Sequence, residues 1–163
     1  MDLNNLRDTF HEQLKDIYSA EKQLTEALPK MVKSASDPKL QEAFQSHLDL
    51  THRQLERVHT LLQNMDVNPG NKKCEAMEGL VKEGEEMAKK DGDPAACDAG
   101  LIAAAQKVEH YEIATYGSLR AWATALGEDE AAQVLQEILD EEYDADNTLD
   151  KLAEGYLNKD AVS

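Results

Sequence analysis

Four long stretches of this chain carry their apolar residues on one helical face, and in three of them the centre of that face is a glutamate. At ~100° per residue, Leu3, Phe10, Leu14, Ile17, Leu24 and Leu28 fall around Glu21. Leu101, Ala105, Val108, Tyr116 and Leu119 surround Glu112, with Glu109 close beside it. Leu135, Ile138, Leu149 and Leu152 surround Glu142, with Asp146 one turn on. A single glutamate on such a stripe is ordinarily a boundary residue that bends out to water. Three at the stripe centres of three helices predict a shared interior cluster. An ionised carboxylate in an apolar interior is costly unless something pairs with it, and no Lys or Arg lies near the middle of these stripes. The expected partner is a bound cation. A shared proton is the alternative, because crowded carboxylates raise one another's pKa.

Breaks in the pattern set the organisation. Ser34–Pro38 ends the first helix, with Asp37 as a cap and Pro38 as a helix-starting residue. Asp66–Asn71 stops the second, Gly92-Asp93-Pro94 separates a shorter helix from the next long one, and Gly127 closes that one. The spacing predicts one domain over residues 1–163, with helices at about 2–33, 38–65, 74–90, 94–126 and 128–157 and a frayed C-terminal end. The fold class is all-α. A long helix of this kind spans on the order of 40 Å, and the segment between the second and third long helices is long enough to cross the bundle. A long crossover at that point, here carrying a short fifth helix, is the layout of ferritin-like four-helix bundles, which build metal sites from core carboxylates.

The net charge of −16 disfavours nucleic acid and anionic membrane surfaces as partners. With no apolar run of membrane-spanning length and no signal-peptide pattern at the start, a cytoplasmic location is expected. Cys74 and Cys97 match no metal-binding or redox spacing and are expected to be reduced, with a disulfide open to them in an exported protein.

Tyr18-Ser19-Ala20-Glu21-Lys22-Gln23-Leu24, His47-Leu48 with Thr51 and Gln54, Val108-Glu109-His110-Tyr111-Glu112-Ile113-Ala114, and Asp140-Glu141-Glu142 with Asp146 resemble the YciF-type family of bacterial stress-associated proteins. The resemblance covers nearly the whole chain. It implies a ferritin-like fold related to that of rubrerythrins, and a homodimer. The chain departs from the family in the second helix, where two adjacent acidic residues usually precede the position of Thr51 and this chain has Asp49 and Leu50. Asp49 and His52 have the acid-x-x-His spacing of di-iron proteins. Asp49, however, lies nearly opposite the stripe centre and His52 at its edge, so exposure of Asp49 is expected. His47 and Gln54 lie closer to the apolar face and Thr51 at its centre. His47 could ligate a metal, neutralise a glutamate as imidazolium, or simply pack. Tyr18, Tyr111 and Tyr116 sit within about one turn of the interior glutamates, as hydrogen-bond partners or as core.

Two functions fit these residues. In the first, Glu21, Glu112 and Glu142 ligate iron or manganese (or zinc by substitution), with Glu109, Asp146 and His47 completing the site, for redox chemistry of iron or of a small oxidant such as peroxide. In the second, the protein is metal-free and acts through a dimer or partner surface, its acidic core a remnant. An iron-storage cage fits less well, for want of a shell-forming interface, and no nucleophile or phosphate-loop motif is present.

Overall fold

Asn5 opens the first helix by accepting the backbone N–H of Asp8 on its side-chain oxygen at 3.0 Å. The computed structural model describes residues 2–162, and among them there is no strand. Helix α1 is Leu6–Ser34, α2 Pro38–Asn64, α3 Glu75–Ala88, α4 Pro94–Ala125 and α5 Asp129–Leu152. A π turn over Ala153–Leu157 and a last helical turn, Asn158–Asp160, prolong α5. Asp37 and Asp93 cap α2 and α4, each followed by a proline whose missing N–H costs nothing in the first turn. Gly127, at φ +73, supplies the left-handed residue between α4 and α5.

Contacts along the helices give their directions. Asp98 at the start of α4 meets Ser36 after α1, and Arg7 at the start of α1 meets Glu128 beyond α4, so the two run antiparallel. Gln106–Asp150 pairs α4 antiparallel with α5, while Arg57–Glu141 and Tyr156–Asp37 pair α5 with α2. Helices α2 and α4 are therefore parallel, which a short turn cannot produce. The return is made by α3, which runs alongside α1 from Cys74 near Ser19 to Glu85 near Lys30. Helix α3 rests on α1 and α4 outside the four-helix core. Gly100 on α4 permits this approach, because a Cβ there would collide with the sulfur of Met87. This is an all-α, ferritin-like bundle whose long crossover carries the short helix.

The termini differ from the sequence reading. The first helix begins at Leu6, and Leu3 stands 56% exposed instead of extending the stripe. Helix α3 spans Glu75–Ala88, because Cys74 is its cap, the thiol accepting the N–H of Met77 at 3.4 Å. The C-terminal end is not frayed before Asp160, since the Tyr156 hydroxyl donates to the Asp37 carboxylate at 2.8 Å. Both cysteines are free thiols. No helix among the described residues is long and apolar enough to cross a membrane.

Asp98, 1% exposed, was not legible from the stripe pattern. Its two carboxylate oxygens accept the N–H groups of Ser36 and Asp37 at 2.8 and 2.7 Å, fixing the α1–α2 turn to the start of α4. Asp98→Ala removes a buried carboxylate that accepts two charge-assisted backbone hydrogen bonds. We expect it to lower stability by about 3 kcal/mol, measured by urea denaturation. A loss below about 0.5 kcal/mol, the size of an ordinary surface change, would show that water replaces the carboxylate.

Candidate metal centre

The spacing that put glutamates at stripe centres carries them into the middle of the bundle. Glu21 from α1 and Glu112 and Glu142 from α4 and α5 are fully buried, and Glu109, one turn before Glu112, is 2% exposed. His47 from α2, 8% exposed, closes the group on the fourth side. One ligand atom each from His47, Glu109, Glu112 and Glu142 lies within 4.8 Å of the others. One imidazole and three carboxylates this close together are a donor set that would suit a divalent cation. Glu21 stands against Glu112, close enough for the two carboxyls to share a proton, and accepts a hydrogen bond from the Tyr116 hydroxyl.

The group is unsatisfied as it stands. Both oxygens of Glu112 and of Glu142, one each of Glu21 and Glu109, and both ring nitrogens of His47 are buried without a hydrogen-bond partner. His47 Nδ1 is 3.1 Å from Glu109 Oε1, yet the two are not aligned for a hydrogen bond. Buried polar groups in folded proteins are nearly always paired; protons shared between Glu21 and Glu112 and between Glu109 and Glu142 satisfy part of this set, while both ring nitrogens of His47 remain without a partner.

Burial drives the electrostatics. It pushes the Glu21 carboxyl up to about 8, with the charge of Glu142 adding to the effect and the Tyr116 hydrogen bond opposing it. Burial and then Glu142 also raise Glu109 and Glu112 well above the ordinary carboxylate range. His47 is pushed down by burial, against the pull of Glu142, which leaves a neutral imidazole with a free lone pair. Burial and the neighbouring carboxylates raise the Tyr116 phenol, so it stays a donor to Glu21. Without a cation the cluster is held by protons.

Asp146 lies at the edge of this group and outside the four-residue set. One of its oxygens is 3.0 Å from Nε2 of the exposed His110, and the other is buried without a partner. Asp49 is exposed and hydrogen-bonds Gln45 at 3.0 Å, and His52 is exposed as well. Thr51, fully buried, donates its hydroxyl to the His47 carbonyl at 2.8 Å and so fixes the turn that carries the imidazole. Of the three tyrosines, only Tyr116 hydrogen-bonds one of the interior glutamates. Tyr111 donates to Asp16 at 3.0 Å and contacts the Cys74 thiol, and Tyr18 stacks on His59. The sequence reading missed Arg57, whose guanidinium holds Glu141 at 2.5 Å while Gln54 donates to the same oxygen at 3.1 Å. Arg57 sits off the apolar stripe on a half-buried flank. The only signal for it was its place three residues after Gln54 on α2.

A bundle with parallel second and third long helices, a crossover on its outside and a carboxylate cluster at its centre defines the ferritin-like class. Residues 5–162 match the family described as Domain of unknown function (DUF892), and the chain belongs to that family. It is 45% identical to Protein YciF of Escherichia coli (strain K12) over 162 residues, covering 99% of this chain and 98% of that protein. The crystal structure of the E. coli stress protein YciF superposes with a TM-score of 0.92, over 96% of this chain and 99% of that one. YcfI from Rhodopseudomonas palustris, proposed as a structural protein, is 41% identical with a TM-score of 0.87, over 91% and 95% of the two chains. A Xanthomonas campestris protein, 22% identical with a TM-score of 0.75 over 94% of each chain, shares the fold.

Proposed function

We propose that this protein binds a hard divalent transition metal, iron or manganese, in its core, with His47, Glu109, Glu112 and Glu142 as ligands. The observation that carries the reading is the convergence of buried donors left without hydrogen-bond partners. Carboxylates with one imidazole suit iron, manganese or, by substitution, zinc. Glu21, beside Glu112, is placed to supply an outer ligand or a second, partial position. Bound there, iron or manganese would supply redox chemistry toward a small oxidant such as peroxide, in keeping with the stress association of YciF. The chain's own residues do the rest: Tyr116 orients Glu21, Thr51 anchors the His47 turn, and the apolar shell excludes water from the carboxyls. Homodimerisation and a cytoplasmic location belong to this reading as proposals.

Leu50 explains why the second position is partial. It is half-buried, one turn beyond His47 on the same wall, where an acid would add an anionic donor. Elemental analysis of the purified protein should therefore give about one ion per chain, and Leu50→Glu should raise it toward two, because hard divalent ions are held by anionic oxygen ligands and bridges. Protein that carries no metal and takes up none on incubation with Fe(II) or Mn(II) would favour the metal-free alternative. Unchanged metal content in Leu50→Glu would refute the role given to Leu50.

A further inference from the structure

Next to the carboxylate cluster the helices leave a half-open space, walled by the four long helices and by Leu80, Val81 and Gly84 of α3. A cavity of about 630 Å³ extends from His47 and Glu109 toward the end of the bundle where α1 joins α2. That volume lies within the ~300–1,000 Å³ of small-molecule sites. Its walls are aliphatic, formed by Leu24, Leu28, Leu50, Val108 and Leu149, with Phe44 at one side. The space exists because small residues stand where a packed bundle has large ones: Ala27 on α1, Ala43 on α2, Ala104 and Ala105 on α4, and Ala145 on α5. The cavity reaches the surface between α2 and α5, where Glu42, Ser46, Asp144 and Thr148 are exposed.

The inner end differs from the walls. His47 and Glu109 are the two cluster residues that line the cavity, and both are more than nine-tenths buried. Both ring nitrogens of His47 and one oxygen of Glu109 have no hydrogen-bond partner. An occupant thus meets apolar surface along its length and two polar groups at one end. The charges select further. Lys30–Glu85 and Arg57–Glu141 are ion pairs, so the remaining rim charges are Lys39 against Glu42 and Asp144. With Glu42 and Asp144 at the rim and a net charge of −16, an anionic chain is repelled.

We infer that this cavity is a binding site for an aliphatic alcohol of medium chain length, its hydroxyl seated against His47 and Glu109. A hydroxyl both donates and accepts, so it can pair with a ring nitrogen of His47 and the unpartnered oxygen of Glu109 together. Placing this molecule at the centre as its substrate class rests on the proposed metal function; its binding does not.

The test is calorimetric titration of the protein with octanol and octanoate, as purified and again after chelation, with metal content measured on the same samples. Octanol should bind at about one per chain, and octanoate at least about tenfold more weakly, a difference of about 1.4 kcal/mol. The double variants Ala105→Leu/Ala145→Leu and Ala43→Leu/Ala104→Leu each narrow the cavity from two helices. Each should weaken octanol binding at least about tenfold, and a folded state confirmed by circular dichroism separates blocking from unfolding; either folded variant suffices. No octanol binding, equal binding of octanoate, or unchanged octanol affinity in a folded double variant would overturn the inference. Octanol binding to a protein that takes up no metal upholds the cavity and removes the metal reading, whereas metal uptake without octanol binding does the reverse.

Discussion

The chelated protein should lose stability steadily as the pH rises from the ordinary glutamate value of 4.5 to about 8, the range over which most proteins are near their best. The sign follows from the buried carboxyls. Glu21 is raised to about 8, and Glu109 and Glu112 are raised well above their ordinary values, all by burial first and by Glu142 second. In the unfolded chain these groups ionise near 4.5, while in the folded chain they keep their protons. Their stabilising contribution is complete below 4.5 and declines as the pH climbs toward the folded value. Above about 8 the contribution of Glu21 is spent. A carboxyl that stays protonated in the folded chain while it ionises in the unfolded one costs ~1.4 kcal/mol for every tenfold fall in proton concentration. For Glu21 alone the loss across this window is therefore on the order of several kcal/mol. With metal bound the slope should reverse, because the ion takes deprotonated ligands and its affinity grows with pH. Urea unfolding across this range, with chelator and with Mn(II), measures both limbs. A flat profile in the chelated protein would mean that the carboxyls are ionised and solvated, and that the dry cluster described above is wrong.

Glu112→Gln should separate stability from binding. The amide has nearly the same shape but cannot ionise, so the metal-free protein at neutral pH and above loses one member of a crowded acidic set. Glu112 also helps to define the surroundings of Glu21, its neighbour across the bundle. Burial holds Glu112 protonated in the folded chain while it ionises in the unfolded one; the amide removes that difference, and we expect a gain on the order of 3 kcal/mol for the chelated variant at neutral pH. Metal affinity should fall by more than ~100-fold, because changes outside the ligand shell already cost 10–100-fold. Thermal unfolding of wild type and variant, each with and without Mn(II), gives the result as a crossing: the variant more stable without metal, the wild type more stable with it. A variant that is less stable in both conditions would show that Glu112 makes structural hydrogen bonds.

The sequence carried the cluster because a glutamate at the centre of an apolar stripe contradicts the pattern around it. Glu21, Glu112 and Glu142 each stood out for that reason, and each is fully buried. The crossover was legible for a similar reason, since Pro38, Pro94 and Gly127 punctuate helices whose lengths then dictate the connection. What periodicity could not reveal were contacts between helices far apart in sequence. Asp98 reads as an ordinary polar residue near a helix start, and only the arrival of the Ser36–Asp37 turn makes it a buried anchor. Arg57 and Glu141 look like surface charges until α2 and α5 lie side by side. Asp146 was grouped with the cluster on spacing alone, and its partner is the exposed His110. The cavity was invisible because alanines are normal helix formers, and nothing local says that those from several helices will face one another.

The residues of the proposed metal centre are divided between the two halves of the chain. Glu21 and His47 belong to the hairpin of α1 and α2, while Glu109, Glu112 and Glu142 belong to the hairpin of α4 and α5. Each hairpin can form from contacts near in sequence, and local contacts form fast. The cluster exists only after the crossover has brought the hairpins together. Capture of an ion therefore follows docking and cannot nucleate it, so metal should leave the folding rate nearly unchanged. Once bound, an ion would act in the opposite direction, because the halves could not part without stripping it from one set of ligands. An interaction made after the transition state slows unfolding alone. In a cell, such a protein would register metal supply as lifetime: chains folded in scarcity would open and be cleared sooner than those folded in plenty.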